Sequence, residues 1–449
     1  MSTFTKHVGV GAVLAAALMS TGSAMAGGFA VREQSTYGQG MSFAGSAAYS
    51  SISAMFWNSA AAANQTGLNA ESGAAYIIPK AELTALPGVT SGGIPANTGT
   101  DTTVDIGTDA IVPSTYLTYQ FKNFDPRLYI GLGLNSGFGL KTEPENRWAG
   151  SQVAGATSLF TLNVNPMLAY KLSDTIAVGV GAQVQYAKGI LKFATRSNTG
   201  VNSYFEGDDL AVGGTAGIMF TPNPGTRIGL GYRSQITHKL DGVQATNFNP
   251  AFGLLATPLE NGVGTEVELK LPDIVTLSFS QAVAPNARVL GTVEWSNWSR
   301  LESLDLVTTG AGNTVLARSV ANPTGAVTAG RQIGSISTKW EDGWFFSGGF
   351  EYDVNPLLTV RAGGAYEISP VTKATERVAS IPDADRIWAS FGFSYAMNKS
   401  TTIDFGYTHL FVDDARIDRE NVSRTTGLIA DLDASLDIIS LGVRMKLGE

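Results

Sequence analysis

The sequence predicts an all-β protein, a fourteen-stranded antiparallel transmembrane β-barrel with a small N-terminal plug in its lumen. Three observations carry that expectation. Apolar residues alternate with small or polar ones over runs that reach the roughly 9–11 residues of a membrane-crossing strand. The connections between the runs alternate between short and long. After Ala26 no apolar stretch approaches the roughly 20 residues of a membrane-spanning helix, so a membrane crossing by this chain has to use strands.

Composition narrows the class further. The 449 residues include 52 Gly, 17 Pro and no Cys, with 15% charged and 44% hydrophobic residues. Glycine without a three-residue period is not collagen, and that apolar content does not belong to a disordered chain. Without cysteine there is no disulfide framework, thiolate metal site or thiol nucleophile. A net charge of -8 argues against a nucleic-acid partner.

In chain order, residues 1–26 carry Lys6, an apolar stretch from Val8 to Met19 and the closing Ala24-Met25-Ala26. That is the order of a cleavable secretory signal peptide, and the apolar stretch is too short to anchor the chain in a bilayer. Residues 27–66 do not alternate and hold Arg32 and Glu33 as their only charges. A solvated tail is normally charged or proline-rich. This segment, with Tyr49, Phe56 and Trp57 to bury, is expected to plug the lumen of the barrel formed by 67–449.

The fourteen runs start near Gly67, Ser114, Arg127, Leu159, Thr175, Asp208, Thr226, Asp273, Ala287, Gly343, Leu357, Asp385, Thr401 and Leu432. The fifth shows the pattern: Ile176, Val178, Val180, Ala182, Val184 and Tyr186 on one face, Ala177, Gly179, Gly181, Gln183, Gln185 and Ala187 on the other. A soluble sandwich would expose Lys, Glu and Thr on its polar face, whereas small uncharged residues suit a filled lumen. The short connections, such as KNFDP, TPNPG and NKS, carry turn residues. The long ones span roughly 79–113, 141–158, 194–207, 240–266, 302–342, 369–384 and 415–431. Short turns at one end and long loops at the other are the pattern of bacterial outer-membrane barrels, with both termini on the periplasmic side. Ile333 to Trp340 is expected as an ordered extension of its loop, and Trp295, Trp298, Trp340, Trp344 and Tyr352 as candidates for interfacial girdles.

These residues resemble the FadL or toluene-transport family of outer-membrane transporters for long-chain fatty acids and other hydrophobic compounds. The resemblance starts in GGFAVREQSTYGQGMSFAGSAAYSSISAMFWNSA and continues through SGFGLKTEPENRWAG and IGLGYRSQITHKLDG. It is densest in RAGGAYEISPV and IPDADRIWASFGFSYAMNKSTTIDFGYTH. The family's plug ends in Asn-Pro-Ala; here the motif reads Asn58-Ser59-Ala60, with serine in place of proline. The chain ends Lys446-Leu447-Gly448-Glu449, without the usual terminal aromatic.

The resemblance implies an outer-membrane location, an apolar groove among the loops, an internal ligand site and a kinked third strand that opens the wall sideways. The alternation of Leu128, Ile130, Leu132 and Leu134 breaks at Asn135-Ser136-Gly137-Phe138-Gly139, the candidate kink and lateral opening. A fatty acid needs an apolar pocket and a cation for its carboxylate. Alternation assigns Arg361, Arg386, Arg444 and Lys446 to the lumen, and Lys192 is similar in place to a basic position that the family uses for the ligand head group. Of these, Lys192 and Arg386 are the preferred contacts, with Arg361 behind them. Phe248, Phe252, Leu254 and Leu255 are the candidate groove residues.

The expected partners are a hydrophobic small molecule, either a fatty acid or a monoaromatic hydrocarbon, and outer-membrane lipid, with the protein monomeric and passive. Two other classes compete. A barrel hydrolase would draw on His238 or His409, but no GxSxG, Walker or HExxH pattern supports it. An adhesin would need neither plug nor lumen cations. No catalytic residue, cofactor or metal is expected.

Overall fold

The computed structural model describes residues 27–86, 90–91, 94–95, 101–144, 148, 150, 155–194, 202–247, 262–313, 325–419 and 428–448. The expected signal peptide and the groove residues Phe248, Phe252, Leu254 and Leu255 lie outside them.

Fourteen antiparallel strands form the closed wall. They are β1 (Leu68–Ala85), β2 (Ala110–Gln120), β3 (Leu128–Asn135 and Gly139–Thr142), β4 (Thr157–Lys171), β5 (Ile176–Ala194), β6 (Asn202–Asn223) and β7 (Thr226–Arg233 and Ile236–Asn247). The second half comprises β8 (Val263–Leu271 and Ile274–Ala284), β9 (Ala287–Ser296 and Ser303–Thr308), β10 (Gln332–Ser337 and Gly343–Asn355), β11 (Leu358–Ile368), β12 (Arg386–Ala396), β13 (Thr401–Val412 and Ala415–Asp418) and β14 (Ile429–Gly448). Each pairs with its sequence neighbour, and β1 closes on β14 from Leu68↔Gly448 to Ala85↔Ala430. The sheet thus closes on itself, as a bilayer requires of a spanning sheet. Residues 332–337 pair with 303–308 and so prolong the β9–β10 hairpin.

The outward face is apolar up to a row of tyrosines near the long-connection end. The hydroxyl of Tyr232 donates to Asp273 (2.7 Å), Tyr366 to Asp385 (3.0 Å), Tyr407 to Asp437 (2.6 Å), and Tyr76 to Asp109. An apolar ring carrying a wet polar tip suits the outer boundary of the lipid. Above this row the strands continue and their faces change sense. On β8, Val267, Leu269 and Leu271 are buried inside while Glu266, Glu268 and Lys270 face out. Several connections are accordingly shorter than the sequence suggested: β5 runs to 194, β6 begins at 202, β7 runs to 247 and β8 begins at 263.

Residues 27–66 lie inside the wall and are buried almost throughout. The segment has one helical turn, Thr36–Gln39, capped by the Ser35 hydroxyl, and two short 3-10 helices, Ile52–Phe56 and Ser59–Ala63. Tyr49, Phe56 and Trp57 are buried together. Inward glycines make this fit. A Cβ at Gly231 would overlap the Trp57 carbonyl, one at Gly229 the Ala47 carbonyl and one at Gly217 the Asn58 side chain. Trp298 and Trp340 were expected at the membrane interface, but both point inward against Phe29, with ring centroids at 4.6 and 5.8 Å. Trp295, Trp344 and Tyr352 do face outward.

Candidate functional site

Above the tyrosine row the inward faces of β3 to β9 line a partly open apolar cavity. Leu140, Leu159, Leu191, Phe205, Leu240 and Leu269 form its wall. Phe29 of the N-terminal segment and Ile381 of the β11–β12 connection close it. That connection is itself held down: Arg377 donates to the carbonyls of Asp383 (2.7 Å), Arg416 (2.6 Å) and Val371 (2.9 Å). A carbon-lined space suits an apolar ligand and stabilises no charge.

Beside the cavity the wall is interrupted. Among the described residues, the β2–β3 ladder ends at Thr115↔Leu134 and Gly139–Thr142 pairs with β4 alone, so Ala110–Ser114 has no strand partner on that side. Pro113, with no amide hydrogen, lies in the unpaired stretch. On the β4 side the register moves from Asn135↔Asn163 to Gly139↔Phe160, so three residues of β3 face two of β4. This is a β-bulge at Ser136-Gly137-Phe138, within the segment where the alternation breaks. The N-terminal segment bonds to three backbone groups at and beside the bulge. Val31 N–H donates to the Gly137 carbonyl (2.9 Å), Gly139 N–H to the Phe29 carbonyl (3.0 Å), and the Gln34 amide to the Ser136 carbonyl (2.6 Å).

The segment is anchored at two further places. Arg32 donates to Glu294 (2.6 Å) and to Glu367 (3.2 Å) and lies over the Phe345 ring. Asp383 accepts from Gly28 N–H (2.8 Å) and from Arg386. Deeper in the lumen, Tyr37 donates to Glu351 (2.7 Å) beneath the Arg361 guanidinium.

The basic residues expected at a ligand carboxylate are placed elsewhere. Lys192 is exposed on β5, on the face opposite the cavity-lining Leu191, so period two turns it away from the lumen. Arg386 is buried and paired with Asp383 and Glu367. Arg361 is buried and held by Glu351 at 2.6 Å and Ser394 at 2.7 Å. Arg444 is held by Asp404 at 2.6 Å. Lys446 lies near the exposed end of β14. None of these lines the cavity.

Of the motif residues, Asn58 caps the second 3-10 helix and Ser59 and Ala60 open it; the Asn58 carboxamide oxygen accepts from Ala60 N–H at 3.0 Å. Its nitrogen donates to the carbonyls of Ala47 (2.9 Å) and Ile218 (3.0 Å). Ser59 donates to Thr215 at 2.7 Å, a bond that the family's proline has no group to make. His238 faces inward between Asp209 (2.9 Å) and Gln185 (3.0 Å). His409 faces outward against Asp437 (2.8 Å), so the two imidazoles lie on opposite faces of the wall.

Sequence reasoning missed the cavity wall. Phe205, Leu240, Leu304 and Ile381 fall in stretches read as long loops. The signal that would have found them is alternation of inverted sense, charged outward and apolar inward, as in Glu266-Val267-Glu268-Leu269-Lys270-Leu271.

Residues 17–447 match the family described as outer membrane protein transport protein (OMPP1/FadL/TodX). The chain is 28% identical to the 47 kDa outer membrane protein of Pasteurella multocida over 447 residues, covering 94% of this chain and 96% of the relative. It is 26% identical to the long-chain fatty acid transport protein of Escherichia coli O6:H1 over 429 residues, covering 88% and 89%. Among solved structures, a FadL homologue from Pseudomonas aeruginosa superposes with a TM-score of 0.79 at 21% identity, over 93% of this chain and 99% of that one.

Proposed function

From the premise that this chain belongs to the outer membrane protein transport family (OMPP1/FadL/TodX), we propose that it takes up hydrophobic compounds, long-chain fatty acids or similar molecules, by passive movement. The bacterial outer membrane is its location. The solute is captured among the long loops and held in the apolar cavity. It leaves sideways through the break in β3 into the bilayer, and residues 27–66 act as the plug that governs this step.

One observation carries the reading: Phe29 serves both parts. Its ring lines the cavity and its carbonyl accepts from Gly139 across the break, so displacing Phe29 opens the cavity toward the wall. Monoaromatic hydrocarbons are the second candidate class, favoured by the lack of a charged side chain in the cavity wall among the described residues. Neither catalysis nor adhesion is part of the reading; the two histidines are too far apart in facing to share a site. The protein is taken to act as a monomer whose apolar band meets lipid.

The test is uptake of labelled oleate and toluene by cells with and without the gene. Uptake restored by a plasmid copy supports the reading, and equal uptake in both strains overturns it.

A further inference from the structure

Three side-chain amides stand on adjacent rungs of the inner wall, below the cavity and beside the break. Asn135 of β3 is the register partner of Asn163 of β4, and Asn163 is the partner of Gln185 of β5. On β4 and β5 the cavity-lining Leu159 and Gly189 are followed inward by Thr161 and Ala187, and then by this row. The distance along each strand is roughly 13 Å. All three amides are buried, at 1%, 0% and 0% exposure.

Their hydrogen bonding is incomplete. The Asn163 nitrogen donates to the Asn135 oxygen at 3.2 Å, leaving the Asn135 nitrogen and the Asn163 oxygen with no partner. Exchanging the two ends of both amides leaves the same inventory, one free donor and one free acceptor. Gln185 uses one end of its amide on His238 at 3.0 Å and leaves the other end unpaired. Gln34, which braces the bulge through its nitrogen, also has an unused oxygen. Buried polar atoms without partners cost free energy, and four around one break call for a group that supplies the missing bonds.

We propose that the row Asn135, Asn163 and Gln185 is a head-group station on the passage from cavity to break, for hydrophobes whose polar end is neutral and both donates and accepts hydrogen bonds. A fatty alcohol is the simplest example. The inference rests on the uptake reading and narrows its substrate class. A hydrocarbon has nothing to offer the row. A carboxylate only accepts, which leaves the free amide oxygen unmet, and it would approach Asp209, which holds His238 at the end of the row. The inward guanidinium of Arg233 is already engaged by the Phe56 carbonyl at 2.9 Å and by Gln183.

The test compares uptake of dodecane, 1-dodecanol and dodecanoate at neutral pH by cells that express the full chain. The expected result is a half-saturation concentration for 1-dodecanol about tenfold below that for dodecane, the worth of one to two hydrogen bonds. Asn163→Leu and the near-isosteric Gln185→Met should erase that difference and leave dodecane uptake intact, which also shows that the barrel has folded. A co-crystal with 1-dodecanol should place its hydroxyl within hydrogen-bond distance of Asn135 and Asn163. Equal handling of alcohol and alkane, an alcohol preference that survives both variants, or a co-crystal with only ordered water at the row would each overturn the proposal. If none of the three compounds enters above the level of cells lacking the gene, the uptake reading itself fails.

Discussion

Val31 donates its amide hydrogen to the carbonyl of Gly137 across 2.9 Å, so the gap in the β3 ladder is bridged by the segment inside the barrel and not by a neighbouring strand. The closed state of the wall therefore depends on where residues 29–31 sit. The ion pairs of Arg32 with Glu294 and Glu367 hold them there.

Locking that contact should stop transport. Ala30 and Phe138 are antiparallel bridge partners, which puts their Cα atoms about 4.5–5.5 Å apart, within disulfide reach. The chain has no cysteine of its own. Oxidised Ala30→Cys/Phe138→Cys should lose uptake of labelled oleate, and dithiothreitol should restore it. Undiminished uptake with the disulfide formed would mean that the break is not the exit.

Dislodging the segment should open an aqueous bore. Gly231→Val places side-chain carbon against the Trp57 carbonyl, an overpacking that costs about 1–3 kcal/mol. In planar bilayers the variant should show steady ion conductance where the parent shows little. A variant as tight as the parent would argue that the segment does not seal the lumen.

Charge in the cavity should be harmful on one face of a strand only. Leu240→Asp puts a carboxylate among Leu159, Leu191 and Leu269 and should weaken uptake roughly tenfold or more. The neighbouring Lys239→Asp changes an outward residue and should leave uptake as it was. Equal effects at both positions would mean that the cavity is not on the route.

Glu33 gives the segment a pH dependence. It lies within residues 27–66, off the spanning strands, with one carboxylate oxygen unpaired, and burial pushes its pKa up to about 7 from 4.5. The folded state then favours the protonated acid. The penalty is absent below about pH 4.5, grows as pH rises from there to 7, and is fully present above 7. At pH 8, Glu33→Gln should raise the unfolding temperature followed by heat-modified gel mobility by about 2–4 °C per kcal/mol recovered. At pH 4 the two proteins should melt together. A pH-independent difference would place the effect elsewhere.

The barrel was legible in the sequence because lipid enforces a strict rule on one face. Wherever Ile176, Val178 and Val180 meet acyl chains the period of two is unbroken, and every strand in the bilayer could be located to within a few residues. The burial of Tyr49, Phe56 and Trp57 was legible for a similar reason, too few charges for a solvated tail. The cavity was not. Above the tyrosine row the outward face meets water, and β7 and β8 each shift their inward parity across Ser234-Gln235 and Pro272-Asp273, so a scan for lipid-type alternation stops there. The surroundings of the basic residues expected as ligand contacts were hidden on another ground. The sequence does not reveal which carboxylate each arginine meets, and Glu351, Glu367 and Asp383 had already claimed Arg361 and Arg386.

The reversal of the strand faces above Tyr232 and Tyr366 puts two oily media in series. Below that level the barrel is inside out, with hydrocarbon around it. Above it the same strands are folded like a water-soluble protein, with a droplet of leucine and phenylalanine in the middle. A poorly soluble molecule that reaches the droplet has already left water, and the bilayer lies one short step sideways. On the proposed route its crossing would be a partition between two phases of similar polarity, which calls for no energy source beyond the difference in concentration.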